Sequence, residues 1–170
     1  MELKDKIALV TGGGQGIGQV IGNNLAKSGA HVIFGDINLE NAKKSAESVL
    51  ANGGNASATL INVADAENVK VAFDSIVKEF KPLDILINNA GITKDGLFVR
   101  MKEDDWDRVL AVNLKGSFLC GQQAAKHMMK QRQGAIVNIA SIVGIMGNAG
   151  QANYSASKAV SYTHLRAHET

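Results

Sequence analysis

The sequence predicts an α/β protein: a doubly wound parallel sheet with helices on both faces. Three observations carry that expectation. Short β-branched runs alternate with longer helical patterns, as repeated strand–helix–strand units require. The strand runs are apolar throughout instead of alternating with polar residues, as expected of strands covered on both faces. A glycine-rich turn joins the first strand run to the first helical pattern.

The elements follow in order. Ile7-Ala8-Leu9-Val10 reads as the first strand, and His31-Val32-Ile33-Phe34, Ala58-Thr59-Leu60-Ile61, Asp84-Ile85-Leu86-Ile87 and Ala135-Ile136-Val137-Asn138-Ile139 repeat its pattern. Helical periodicity covers residues 16–28, 39–51, 66–80 and a long stretch, 103–132. Apolar residues recur at helical spacing, as in Val69, Phe73, Ile76 and Val77, then Trp106, Val109, Leu110, Leu114 and Phe118. Gly53-Gly54 and Gln133-Gly134 fall where helix ends want a left-handed residue. There is no linker, repeat or charge block, so the expectation is one domain over residues 1–160.

Composition narrows the function classes. The 170 residues are 45% hydrophobic and 20% charged, with 18 Gly and one Pro, which excludes disordered and collagen-like chains. A net charge of +2 gives no reason to expect a nucleic-acid or membrane partner, and no apolar run approaches the roughly 20 residues that span a bilayer. The lone Cys120 cannot form an internal disulfide and no secretory leader is visible, so a cytoplasmic location is expected. Cys120 and Trp106 read as packing residues. His31 and His127 have no partners at metal-ligand spacing, so no metal site is expected.

The first strand leads directly into Thr11-Gly12-Gly13-Gly14-Gln15-Gly16-Ile17-Gly18 and a helix. Glycines here allow a tight turn, close approach of backbone N–H groups to a pyrophosphate, and close packing of helix on strand. The helix N-terminus adds partial positive charge. Asp36, at the end of the second strand, would accept hydrogen bonds from the adenosine ribose hydroxyls of NAD and repel the 2′-phosphate of NADP. No Arg or Lys in the turn or just after Asp36 would neutralise that phosphate. NAD(H) is therefore favoured, with NADP(H) the alternative.

Tyr154 and Lys158 stand four residues apart, one turn apart on a helix face. A fixed ammonium favours phenolate, making such a tyrosine a workable proton donor to a carbonyl. By itself the pair reads more readily as two unrelated helix residues. Its company argues otherwise: Ser141 follows the fifth strand, Asn88-Asn89-Ala90-Gly91 follows the fourth, and Asn113 interrupts the apolar pattern of the longest helix. All lie towards the carboxyl ends of the strands, where open α/β sheets bind ligands.

Taken together, Thr11-Gly12-x-x-x-Gly16-x-Gly18, Asn88-Asn89-Ala90-Gly91, Asn113, Ser141 and Tyr154-x-x-x-Lys158 resemble the pattern of the short-chain dehydrogenase/reductase family, over about residues 5–160. Gly91-Ile92-Thr93-Lys94-Asp95, Arg100-Met101-Lys102 and residues 147–154 are similar to the 3-oxoacyl-[acyl-carrier-protein] reductases within it. The resemblance implies a Rossmann-like fold and an NAD(P)-dependent hydride transfer to a 3-oxoacyl thioester of acyl-carrier-protein or coenzyme A. It implies that Tyr154 donates the proton, that Lys158 holds the nicotinamide ribose, and that Ser141 orients the carbonyl oxygen. Asn113 would kink its helix and hold a water through its backbone carbonyl. Gly12, Gln15, Gly16, Ile17 and Gly18 would cradle the pyrophosphate, Asn62 and Val63 would contact the adenine, and Asn89, Ala90 and Gly91 would line the adenosine side. The family's homotetramer is the implied assembly.

After Lys158 the family pattern stops. The implied sixth strand, Pro-Gly turn, substrate lid and seventh strand have no counterpart, and residues 161–170 read as a non-family tail. The expectation is a C-terminally truncated fold with the fifth strand as an open edge, and a 170-residue chain with little turnover and doubtful assembly. Another short-chain alcohol, polyol or steroid dehydrogenase shares every catalytic residue. A noncatalytic dinucleotide-binding fragment is the reading of a different class.

Overall fold

A computed structural model describes residues 2–80 and 82–163, the last three by their backbone alone. The expected tail, residues 161–170, otherwise lies outside the described residues. Five strands form one parallel sheet: β1 (Ile7–Thr11), β2 (His31–Asp36), β3 (Asn55–Leu60), β4 (Ile85–Asn88) and β5 (Ala135–Asn138). Their order in space is β3-β2-β1-β4-β5. The order reverses between β1 and β4, and the carboxyl ends of strands at such a switch point are where open α/β sheets bind ligands. Among the described residues β5 is an edge, with Val137 45% exposed.

The helices are α1 (Gly16–Lys27), α2 (Leu39–Ala51), α3 (Ala66–Glu79), α4 (Glu103–Leu110), α5 (Gly116–Gln131), α6 (Val143–Met146) and α7 (Ala152–Thr163). A 3-10 turn covers Phe98–Arg100, and a π-helical turn, Ala111–Lys115, joins α4 to α5. The stretch predicted as one helix over 103–132 is therefore interrupted at Asn113.

Successive side chains of a strand face opposite sides, and the sheet has a core on each side. Leu9, Ile33 and Leu86 pack with Val69, Phe73 and Ile76 of α3 and with Cys120, Ala124 and Met128 of α5. Ala8, Val10, Val32, Phe34 and Ile87 pack with Ala26 of α1 and with Ala42, Ala46 and Val49 of α2. The ring of Phe34 lies where a Cβ on Gly22 would sit, 2.2 Å from Cε1, so α1 approaches the sheet only because residue 22 is glycine.

Two elements depart from the sequence-based expectation. β3 begins at Asn55, three residues before the predicted start, and its first residues, Asn55-Ala56-Ser57, have low strand propensity. They are drawn in by pairing, with His31 opposite Asn55 and Val32 opposite Ala56. At the end of α5 the left-handed residue is Arg132, φ 55°, while Gly134 has φ 151°.

At the sheet's opposite end, Asp84 ties strand to strand: its Oδ1 accepts from Lys6 Nζ at 2.9 Å and its Oδ2 from the Ile7 N–H at 3.0 Å. Among the described residues no helix is long and apolar enough to cross a membrane.

Candidate active site

Glycine is required in the turn after β1 for reasons the contacts make explicit. Gly12 has φ +62°, and a Cβ there would lie 2.9 Å from Ala90 Cα. A Cβ on Gly18 would lie 2.2 Å from the Gly12 carbonyl oxygen and 2.5 Å from Asn89 Nδ2. Gly16 is different. Its φ is +56°, but nothing stands within 4 Å of where its Cβ would be, and the residue is exposed, so backbone conformation alone asks for glycine there.

The first turn of α1 is left free. Its N-cap, Gln15, makes no side-chain cap and no acidic residue stands in the first turn. By contrast, Asn38 caps α2 through the Asn41 N–H, and Asp65 caps α3 through the N–H groups of Glu67 and Asn68. The orphan N–H groups of α1 and its positive dipole end face the turn, which is the chemistry of an anion site. Gln15 and Ile17 are exposed beside it.

Thr11 and Asn89 lock this turn to the loop after β4. Thr11 Oγ1 accepts from the Asn89 and Ala90 N–H groups, each at 3.1 Å, and donates to the Ile87 carbonyl at 3.3 Å. Asn89 Nδ2 donates to the carbonyls of Thr11 and Gly12 at 3.0 and 3.1 Å. The amide of Asn89 is thus spent on the glycine turn. Asp36 braces the other side, with Oδ2 accepting from the Gly14 N–H and Oδ1 from the Asn38 N–H, both at 2.9 Å.

Past β3, Asn62 accepts from the Ala64 N–H through Oδ1 at 3.2 Å, and its own N–H donates to Asn68 Oδ1 at 2.7 Å. Val63 is buried, and a Cβ on Gly116 would lie 2.8 Å from its Cγ2, so α5 begins directly on this loop. Asn88, buried at the end of β4, holds the next layer: its Nδ2 donates to Asn138 Oδ1 of β5 and to the Ser117 carbonyl of α5.

The residues of a second cluster converge around Asn113 and Lys158. Asn113 is wholly buried, so it is no surface amide. Its Oδ1 accepts from the Ile92 N–H at 2.8 Å, and its Nδ2 donates to the Ile92 carbonyl and to Ser157 Oγ, each at 3.0 Å. The Asn113 carbonyl, within the π-helical turn, accepts from Ser117 Oγ at 2.8 Å. Gly91 packs against this amide, and its missing Cβ would lie 3.3 Å from Asn113 Oδ1 and 3.7 Å from Lys158 Nζ.

Lys158 is 5% exposed, and its Nζ donates to the Ile139 carbonyl at 2.7 Å. Burial pulls the pKa of its ammonium below the usual lysine value. The same Nζ lies 5.9 Å from the centre of the Tyr154 ring. Tyr154 is half-buried, and among the described residues its hydroxyl has no partner. Ser141 stands apart at the start of the turn after β5, where its Oγ accepts only a long bond, 3.4 Å, from the Val143 N–H. Asn113, Gly91, Tyr154 and Lys158 are therefore brought together, whereas no hydrogen bond joins Ser141 to Tyr154.

Three participants were not singled out from the sequence. Ser157 and the Ile139 carbonyl are the buried partners of Asn113 and Lys158. Asn153, also buried, donates from Nδ2 to the Lys94 and Asp105 carbonyls, while its Oδ1 accepts from the Tyr154 N–H. Asn153 and Ser157 flank Tyr154 and Lys158 in the sequence, but nothing local says that their side chains turn inward. Among the described residues no group of three or more His, Cys, Asp or Glu side chains could hold a metal ion.

The family model for short chain dehydrogenases matches residues 6–169. A 3-oxoacyl-[acyl-carrier-protein] reductase of Thermotoga maritima is 46% identical over 159 residues, 94% of this chain and 65% of the relative. The protein of that name in Staphylococcus aureus is 49% identical over 158 residues, 91% of this chain and 63% of the relative. The crystal structure of gox2181 superposes with a TM-score of 0.91 at 35% identity, covering 93% of this chain and 63% of that one. A Sinorhizobium meliloti structure assigned as a short-chain alcohol dehydrogenase gives 0.89 at 35% identity. The chain spans a little under two thirds of the length of these relatives.

Proposed function

This chain belongs to the short-chain dehydrogenase family, and on that premise we propose that it carries the cofactor site and catalytic residues of an NAD(P)-dependent reductase of 3-oxoacyl thioesters. The observation that carries the reading is the setting of Lys158. A buried ammonium, unpaired with any carboxylate among the described residues, is held beside a tyrosine with a free hydroxyl, at the carboxyl edge of a sheet whose first turn is an uncapped glycine-rich helix start. Burying a cation without a counter-charge is costly, and a nicotinamide ribose hydroxyl gives it a partner.

The residues present fit a dinucleotide. The uncapped start of α1 offers N–H groups to a pyrophosphate, the close approaches at Gly12 and Gly18 pack the turn against the loop of Asn89 and Ala90, and Asp36 offers carboxylate oxygens to the adenosine ribose. The like charge of Asp36 towards a 2′-phosphate favours NADH over NADPH. When bound, the nicotinamide supplies the hydride to the ketone carbon. Tyr154 then gives its phenolic proton to the oxygen as negative charge develops there. Ser141, whose proton has no partner among the described residues, donates to the same oxygen and orients it. Lys158 favours the phenolate left on Tyr154 and holds the ribose, and Asn113 keeps the Gly91-Ile92 loop against it.

The reductases of acyl-carrier-protein thioesters among the relatives support the substrate class. The test is fluorescence titration of the chain with NADH, joined to an absorbance assay of acetoacetyl-coenzyme A reduction by the full-length product of its gene. NADH binding with thioester-dependent oxidation is expected. Binding with oxidation only by simple ketones would move the protein to the alcohol dehydrogenases, and binding without any turnover would leave a dinucleotide-binding protein.

A further inference from the structure

We propose that Ser157 is a positioning residue for the reaction proposed above, a hydrogen-bond bridge that sets the rotation of α7 and with it the placement of Tyr154 and Lys158. The inference rests on that reading. Ser157 is wholly buried. Its Oγ accepts from Asn113 Nδ2 at 3.0 Å and donates to the Tyr154 carbonyl at 2.8 Å, so its one proton and an acceptor lone pair are both committed.

The position of this bridge gives it its effect. A serine that bonds back to its own helix is ordinarily satisfied locally and leaves the helix free to turn about its axis. Here the same oxygen is also gripped by a side chain from the π-helical turn between α4 and α5, a foreign element. Asn113 is itself fixed at both ends, since its amide makes two bonds with the Ile92 backbone. The chain of contacts runs from the Ile92 loop through Asn113 and Ser157 to the Tyr154 backbone. Lys158 follows Ser157 directly, and its Nζ reaches the Ile139 carbonyl. About 100° of helix separates successive residues, so fixing Ser157 towards Asn113 fixes the direction in which Lys158 and Tyr154 project. Without the bridge, α7 keeps its helical bonds and, at its start, the Asn153 bonds to the Lys94 and Asp105 carbonyls, but loses the tie that holds the turn from Tyr154 to Lys158 against Asn113.

Ser155 provides an internal control. It lies one residue after Tyr154 on the same helix, and its buried Oγ has no hydrogen-bond partner among the described residues.

The experiment compares Ser157→Ala, Ser157→Thr and Ser155→Ala in the full-length gene product, with Asn113→Ala alone and combined with Ser157→Ala. NADH affinity, thioester KM, kcat and Tm are read for each. Ser157→Ala is expected to lower kcat between about tenfold and a hundredfold, with NADH Kd and thioester KM within about threefold of wild type. Ser157→Thr, which keeps the hydroxyl, recovers most of kcat, and Ser155→Ala changes nothing. Because Asn113 and Ser157 act as one unit, the double variant is no slower than Asn113→Ala. Ser157→Ala within about twofold of wild type in kcat, or losses that multiply in the double variant, would overturn the bridge and leave the proposed function standing. If Ser157→Ala does not fold, Ser157→Cys, of similar volume and weaker hydrogen bonding, carries the same test, and an unchanged kcat overturns the proposal. A wild-type protein that neither binds NADH nor reduces the thioester removes the reading itself, and the bridge with it.

Discussion

Asp36 Oδ2 accepts a hydrogen bond from the Gly14 N–H at 2.9 Å, tying the end of β2 to the middle of the glycine turn. The other oxygen takes the Asn38 N–H, so the carboxylate cannot swing away. A side chain that shapes the turn and, in the function proposed above, receives the adenosine ribose affects two properties when removed. Asp36→Ala is expected to weaken NADH binding about tenfold, on the scale of one or two charge-assisted hydrogen bonds. The ratio of NADH to NADPH affinity should move towards NADPH, because the like-charge repulsion is gone. Parallel fluorescence titrations with both nucleotides measure this. Tighter binding of NADPH than NADH by the wild-type protein would refute the role given to Asp36.

Tyr154→Phe removes one oxygen that has no partner among the described residues, so the fold should be indifferent to it. Steady-state turnover of a 3-oxoacyl thioester should fall by at least about a hundredfold, the scale of lost general acid catalysis, while NADH Kd stays within about twofold. Substantial remaining turnover would show that another group supplies the proton.

The parts of this molecule that the sequence made legible are those set by local chemistry. Strands β1, β2 and β4 are short apolar runs, and the glycine turn is readable because its glycines stand directly between a strand run and a helical pattern. The start of β3 was not legible, because Asn55-Ala56-Ser57 become strand through their partners in β2 and not through their own preference. The periodicity of residues 103–132 announced a helix but not the full turn of π-helix around Asn113. Most opaque was the company that Asn113 keeps. Ile92 is 21 residues away and Ser157 is 44, and their meeting depends on packing α7 against the π-helical turn.

Gly18 and Gly16 separate two reasons for glycine. Gly18→Ala places a methyl 2.2 Å from the Gly12 carbonyl oxygen, an overlap that helix α1 can relieve only by moving off the turn. It should cost about 1–3 kcal/mol in urea denaturation and weaken NADH binding as well. Gly16→Ala meets no atom, and its cost comes from φ +56°, about 1–2 kcal/mol for a side chain held in the left-handed region. If Gly18→Ala proved as stable as wild type, the close packing of α1 against the turn would be wrong.

Cys120 reports on the core between α5 and the sheet. It is wholly buried, and burial pushes its thiol up to about 12. In the folded protein the thiol therefore stays protonated at pH 8, and labelling by an aromatic disulfide reagent should proceed only through opening of the core, far slower than in urea. The sign of the pH dependence follows. Between about pH 9 and 12 the unfolded chain has lost the thiol proton and the folded chain has kept it, so the unfolded state binds fewer protons and stability falls as pH rises. Lys158 works the other way, because its depressed ammonium sheds its proton first in the folded state, and that contribution rises with pH. Comparing urea midpoints at about pH 8 and pH 10 for wild type and Cys120→Ala isolates the thiol, since the Lys158 contribution is common to both. Wild type should lose more stability over that interval than the variant. Equal losses, together with rapid labelling of the folded protein, would mean that Cys120 is not sealed in the core.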